Sequence, residues 1–184
     1  MSTEANFIKQ LTNPKTKEKA FLELLDRYQK RMYWYIRKIV VTHENADDAL
    51  QNTFIRIFNK IETFKGNSLL TTWMFRIAHN EAIRLLEKQQ KTHLASLDEI
   101  QPQYLKDLTQ DNYFNGDELN LKFHEVINSK LTNKQRIVFN MKYFDDLSFR
   151  EIADILEINE NTLKSSYYSA VKIIEDEIVE QTNF

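Results

Sequence analysis

Residues 147–174 read Leu147-Ser-Phe-Arg-Glu-Ile-Ala-Asp-Ile-Leu-Glu-Ile-Asn-Glu-Asn-Thr-Leu-Lys-Ser-Ser-Tyr-Tyr-Ser-Ala-Val-Lys-Ile-Ile174, and the punctuation of this stretch decides the fold. Ser148-Phe-Arg-Glu151 fits a capping box, in which the hydroxyl and the Glu side chain satisfy free backbone N–H groups reciprocally. A helix is expected from about residue 149, with Ile152, Ala153 and Leu156 as its buried stripe. Glu157-Ile158-Asn159 is a short turn, and Asn159 is a suitable N-cap for the next helix. In that helix Leu163, Tyr167, Ala170, Val171, Ile174 and Ile178 share one apolar face, while Asn161, Lys164, Ser165, Tyr168 and Lys172 share the opposite one. Upstream, Thr132-Asn-Lys-Gln135 is a second capping box and starts a helix at about 133. Two helices joined by a three-to-four-residue turn form a helix-turn-helix, whose second helix can enter a major groove. A plain helical hairpin with a solvated face has the same periodicity.

The rest of the composition agrees with an all-α chain. Only two Gly and two Pro occur in 184 residues, whereas β-rich folds need many φ > 0 turn positions. No glycine cluster is available to cradle a phosphate. No cysteine is present, which removes disulfides and thiolate metal sites and suits a reducing cytoplasm. The start, Met1-Ser-Thr-Glu-Ala-Asn, lacks the apolar run of a secretory signal. The most apolar stretch, Met32 to Val41, is interrupted by Arg37 and Lys38 and is too short to span a bilayer. No membrane insertion and no cofactor are expected.

Charge divides the chain. Overall it carries 25 Lys+Arg against 27 Asp+Glu, but residues 1–91 hold sixteen cations against ten acids. Residues 92–118 hold one Lys against six acids, Asp98, Glu99, Asp107, Asp111, Asp117 and Glu118, together with Pro102 and Gly116. Residues 119–184 hold eight cations against eleven acids. Helical periodicity runs from about Ala20 to Lys91, as in Phe21, Leu24, Leu25 and Tyr28 and again in Phe54, Ile57, Phe58 and Ile61. It breaks at Lys65-Gly66-Asn67-Ser68, resumes near Thr71, fades after Lys91 and returns at Leu119. Two small helical domains, 1–91 and 119–184, joined by an acidic linker over 92–118, are therefore expected. Such segregation of charge suggests a polyanion at the N-terminal end, although solvated helix faces of unequal composition would give it too.

One face of the N-terminal domain sharpens that choice. At about 100° per residue, Trp73, Arg76, Asn80, Arg84, Lys88 and Lys91 fall within roughly a third of a helix circumference. Met74, Phe75, Ala78, Ala82, Leu85 and Leu86 take the other side and are expected to face the core. An aromatic ring, a row of cations and a nearby Gly-containing loop are how proteins hold unpaired bases; an aromatic on a helix also serves simply as packing.

Taken together, the residues resemble bacterial sigma-70-type factors of the two-domain extracytoplasmic-function (ECF) group. The words that carry the likeness are Asn45-Ala-Asp-Asp-Ala-Leu-Gln-Asn-Thr-Phe-Ile-Arg-Ile-Phe58, Phe64-Lys-Gly-Asn-Ser-Leu-Leu-Thr-Thr-Trp-Met-Phe-Arg-Ile-Ala-His-Asn80, Leu131-Thr-Asn-Lys-Gln-Arg-Ile-Val-Phe139, Leu147-Ser-Phe-Arg-Glu-Ile-Ala153 and Asn161-Thr-Leu-Lys-Ser165. The resemblance implies a protein that directs core RNA polymerase to promoter DNA and stabilises a melted minus-ten element. It implies docking on the β′ clamp helices through Asp47, Asp48, Gln51, Phe54 and Arg56, and contact with the β flap. It implies capture of an extruded non-template base by Phe64, Gly66, Asn67, Ser68 and Asn80. Trp73, Arg76, Arg84 and Lys88 would support or contact the minus-ten strand. Asn161, Lys164, Ser165, Tyr168 and Lys172 would read the minus-35 element. An anti-sigma partner is a further implication, and the acidic linker resembles the family's connector toward the RNA path.

The chain departs from the family pattern at four positions. Asn52 stands where Glu is usual, Glu157 where the turn usually has Gly, and Ser166 and Ser169 where Arg is frequent. Fewer cations mean fewer phosphate contacts, so weak binding of the minus-35 element by the C-terminal domain alone is expected. One competing reading is a DNA-binding regulator that uses only the helix-turn-helix, with an N-terminal partner-binding domain. It would not need the Trp73 and Arg76 face or the Gly66 loop. The other is a metal-dependent hydrolase, which is disfavoured because His43, His79, His93 and His124 lack metal-ligand spacing.

Overall fold

The computed structural model describes residues 3–40, 42–92 and 118–182. Among them are α1 (Thr3–Thr12), α2 (Lys17–Val40), α3 (His43–Lys60), a 3₁₀ turn (Ile61–Thr63), α4 (Leu70–Thr92), α5 (Glu118–Ser129), α6 (Asn133–Tyr143), α7 (Phe149–Leu156) and α8 (Glu160–Thr182). No strand occurs among the described residues. The chain separates into two compact units, Met1–Gln89 and Gln90–Phe184.

In the first unit α2 packs against both α1 and α3. Leu24, Met32, Tyr35, Ile36 and Val40 of α2 are buried with Ala46, Ala49, Leu50, Phe54 and Ile57 of α3. Each such side chain of Leu, Ile or Met size contributes about 1.5–3 kcal/mol when removed from water. Of the expected α2 stripe, Leu24 is fully buried, while Phe21, Leu25 and Tyr28 are half-buried. Phe21 lies edge-on to Phe54 and Phe58 with ring centres 6.3 and 5.0 Å away. Thr42 caps α3, its side chain accepting from the Asn45 N–H. In α4 Met74, Phe75, Ala78 and Ala82 are buried, as the periodicity expects, and Leu70 is buried with them, whereas Leu85 and Leu86 stay half-buried. Helix α1 lies ahead of the periodicity seen in the sequence, which begins near Ala20. Its apolar signal is short, Phe7, Ile8 and Leu11, of which Phe7 and Leu11 are buried.

The second unit is built on α8, which contacts α5, α6 and α7. Both capping boxes form: Thr132 with Gln135, and Ser148 with Glu151. They start α6 at Asn133 and α7 at Phe149. Val126, Ile127, Leu131, Phe139, Ala170 and Ile174 make one cluster, flanked by Phe123, Tyr167 and Ile178. The α7 stripe differs from the expected one. Ile152 and Ile155 are buried, and Ala153 and Leu156 are only half-buried. With eight residues, α7 seats two positions three apart on its neighbours, and the side chains one place further round reach the rim. Glu157 closes α7 at φ 57°, ψ 37°, its N–H donating to the Ala153 carbonyl. The left-handed turn usually given to Gly is therefore made here by a residue with a Cβ. Asn159 caps α8 as expected, its Oδ1 accepting from the Asn161 N–H at 2.9 Å.

Candidate nucleic-acid and polymerase interfaces

The loop between the 3₁₀ turn and α4 is fixed by its chemistry. The Phe64 N–H donates to the Ile61 carbonyl and ends the turn. Gly66 then takes φ +72°, with open space where a Cβ would stand, so Gly is needed here for backbone conformation rather than for room. Phe64 packs on Trp73 with ring centres 5.4 Å apart, which ties the start of the loop to the first turn of α4. Both rings are half-buried; Gly66 and Asn67 are exposed and Ser68 is half-buried. Along α4, Asn80, Arg84 and Lys88 are exposed and Arg76 is half-buried. The expected face thus exists, beginning at an aromatic pair and running along amide and cationic groups. Lys91 belongs to α4, but its side chain lies outside the described residues.

The cations are not all solvated alike. Glu81 keeps its side chain 8 % exposed, and its Oε1 meets both Arg84 Nη1 at 2.7 Å and the Nε of Arg56 on α3. This carboxylate joins α3 to α4. On the same helix the His79 Nδ1 shares a hydrogen bond with the Tyr35 hydroxyl at 3.0 Å, and burial lowers its pKa from 6.5 to about 4. His79 is therefore neutral near pH 7, and the charge on this face comes from Arg and Lys.

On the same unit, α2 and α3 border a groove of about 700 Å³ lined by Phe21, Leu25, Asp47, Asp48, Gln51 and Phe54 among others. Asp47, Asp48 and Gln51 are exposed at its edge, and Phe54 is buried along it. The apolar side chains Leu22 and Ile55 stand 67 % and 52 % exposed on these helices. Four of the five residues expected at a docking face therefore line one groove. Arg56, the fifth, is half-buried and engaged with Glu81.

In the second unit Asn161, Ser165, Tyr168 and Lys172 are exposed on α8, and Lys164 is half-buried. Lys164 pairs with Glu160 at 2.7 Å. The Tyr167 phenol, pushed above its ordinary pKa by burial and then by Tyr168 and Tyr143, stacks 5.8 Å from Phe139. Ser169, where Arg is frequent in the family, accepts from Gln135 Nε2 at 3.0 Å. Here the small hydroxyl ties α6 to α8. Of the acidic linker, Asp98, Glu99, Asp107, Asp111 and Asp117 lie outside the described residues, as does the side chain of Glu118.

With that geometry established, comparison with known proteins is specific. The family model for sigma-70 region 2 matches residues 24–92, and that for sigma-70 region 4 matches residues 127–174. The ECF RNA polymerase sigma factor SigW of Bacillus subtilis is 29 % identical over 153 residues, covering 79 % of this chain and 82 % of that protein. The ECF RNA polymerase sigma-E factor of Haemophilus influenzae is 28 % identical over 179 residues, covering 88 % of each. Among solved structures, the sigma factor RpoE of Bartonella quintana, in complex with the anti-sigma factor NepR, superposes with a TM-score of 0.68. It is 19 % identical and covers 87 % of this chain and 97 % of its own. CnrH, in complex with the cytosolic domain of CnrY, gives a TM-score of 0.69 at 16 % identity over the whole of both chains. At those identities the two structures speak for the fold.

The chain belongs to the sigma-70 family, in its ECF group. Its role is that of a sigma factor, directing RNA polymerase to promoters, and the family consists of transcription initiation factors rather than enzymes. A regulator built on the helix-turn-helix alone is disfavoured, because region 2 is matched as well as region 4. No described helix is long and apolar enough to cross a membrane.

Proposed function

We propose that the first unit docks on core polymerase through the α2–α3 groove and holds a separated minus-ten strand on α4 and its preceding loop, while α8 reads the minus-35 duplex. The supporting observation is the continuity of the loop and the α4 face: Phe64 packed at a tilt on Trp73, Gly66 and Asn67 exposed in the loop, and Asn80, Arg84 and Lys88 exposed beyond. Unstacking a base costs a few kcal/mol, and each base restacked on an aromatic surface returns about 1–3 kcal/mol. Exposed loop amides around Gly66 can approach a flipped base closely, and the cations follow its phosphates. Asp47, Asp48 and Gln51 supply polar edges, and Phe54 the apolar floor, for the β′ clamp helices; Arg56 braces α3 from behind. On α8, Asn161, Ser165 and Tyr168 offer hydrogen bonds to base edges or phosphates, and Lys164 and Lys172 neutralise phosphates.

The residues 1–91 and 119–184 act as the two DNA-handling domains, and 92–118 tethers them in polymerase. The protein works in the cytoplasm, and an anti-sigma protein holds it inactive by covering these faces. The test is transcription by purified core polymerase with this chain on a randomised promoter library. Selection of templates sharing minus-ten and minus-35 elements, opened only when the chain is present, is expected. Templates recovered equally well by core enzyme alone would refute the proposal.

A further inference from the structure

The loop at residues 64–69 is anchored at both roots by the same N-terminal helix. Helix α1 packs on the 3₁₀ turn that precedes the loop. At the other root the Glu4 carboxylate of α1 accepts from the backbone N–H of Leu70, the first residue of α4, at 3.2 Å. These two residues are 66 positions apart. Helix α1 is itself held by Phe7 and Leu11, both buried, and by the Arg27 guanidinium of α2, 4.7 Å from the Phe7 ring centre.

The need for that carboxylate can be read from α4. The Trp73 N–H donates to the Leu69 carbonyl, which makes Leu69 the N-cap residue. Leucine cannot accept a hydrogen bond from the free amides of the first turn, and it is among the least favourable N-caps. The first turn of α4 also contains no acidic residue, so its own sequence provides no negative charge for the positive end of the helix. The Ser68 hydroxyl donates to the Leu69 carbonyl at 3.3 Å. Glu4, from another helix, provides what α4 lacks.

We propose that Glu4 is a positioning residue for promoter opening: as an external cap on Leu70 it fixes the α4 root of the 64–69 loop in the shape that receives the separated strand. The proposal rests on the reading of that loop and α4 as the minus-ten surface. A loop ordered before the strand arrives loses less conformational freedom on binding. With the cap gone, the first turn of α4 frays, and the Trp73 ring and loop amides must be reordered each time a base is captured.

The test uses the full chain with core polymerase on the template that the wild-type holoenzyme selects from a randomised library. It measures affinity for core enzyme and the lifetime of the open complex after heparin challenge. Glu4→Ala is expected to shorten that lifetime about fivefold, the equivalent of one lost helix cap, with core affinity unchanged. Glu4→Gln, which keeps an acceptor, should lose less. Adding Leu69→Ser to Glu4→Ala places a cap within α4 itself, on the amide of Thr71 or Thr72, and should restore the lifetime, while Leu70 amide exchange in the free protein should be faster in Glu4→Ala than in wild type. A Glu4→Ala lifetime equal to or longer than wild type overturns the inference; the longer one would mean that the carboxylate occupies a site a DNA phosphate prefers. Equal losses of core affinity and lifetime, or no restoration by Leu69→Ser, overturn it as well. A wild-type holoenzyme that opens no template overturns the minus-ten reading and this inference together, whereas an active wild type with an unaffected Glu4→Ala overturns this inference alone.

Discussion

Glu157 holds the turn of the helix-turn-helix at φ 57°, a conformation in which a Cβ crowds the following carbonyl. Replacing it with Gly removes that crowding, though Gly also adds freedom to the unfolded chain. Glu157→Gly is expected to raise stability by up to about 1 kcal/mol, read as a higher urea midpoint at unchanged slope. His79 gives a second residue-scale expectation. Its pKa is about 4 in the folded protein against 6.5 for the free side chain. Below pH 6.5 the unfolded chain takes up a proton that the folded one refuses, so stability is full above that pH and falls as pH drops from 6.5 toward 4. Between pH 7.5 and 5 the loss should be about 1–2 kcal/mol, and His79→Gln should flatten that part of the urea-midpoint profile. The Tyr35 hydroxyl, at 3.0 Å, accompanies the neutral ring.

At the scale of elements, α3 and α4 are joined through one buried carboxylate. Arg56 and Arg84 both reach Glu81 Oε1, and each cation is partly solvated, so either alone can be removed with the other left to compensate. Arg56→Ala and Arg84→Ala should each cost about 0.5–1 kcal/mol, while the double variant, which strands a buried charge, should cost about 3 kcal/mol. Additive losses in denaturant unfolding would show that Glu81 does not need either partner. These same elements show what a sequence can and cannot disclose. The boxes at Thr132 and Ser148 were legible because capping acts within four residues, and the α4 face because helical spacing alone sorts Met74 and Phe75 from Asn80 and Arg84. Helix α1 was not legible, since its large apolar residues, Phe7, Ile8 and Leu11, make a single turn in a polar start, too short for a periodic signal. Ile155 displaced Leu156 from the core of α7 because a helix of eight residues is oriented by its neighbours. Glu4 on Leu70, Arg56 on Glu81 and Gln135 on Ser169 join residues 66, 25 and 34 positions apart, and such pairings follow from tertiary packing rather than from any local rule.

For the molecule as a whole, the proposed minus-ten surface carries exposed cations on α4, Arg84 and Lys88, and their effect on DNA should depend on salt. Lys88→Ala removes an exposed cation from α4 and should lower the salt slope of open-complex stability by about one counterion or less, with polymerase affinity unaltered. Asp47→Ala or Gln51→Ala, on the groove between α2 and α3, should do the reverse, weakening capture of core enzyme while leaving the salt slope intact. On the proposed reading, recognition is divided between two faces of one small helical unit, with α8 supplying the upstream contact. All of it depends on a single-stranded segment lying along α4. A photocrosslinker placed at Asn80 or Lys88 in the assembled open complex should label the non-template strand within the melted minus-ten element. Labelling of the template strand, of intact duplex, or of no DNA would contradict that arrangement.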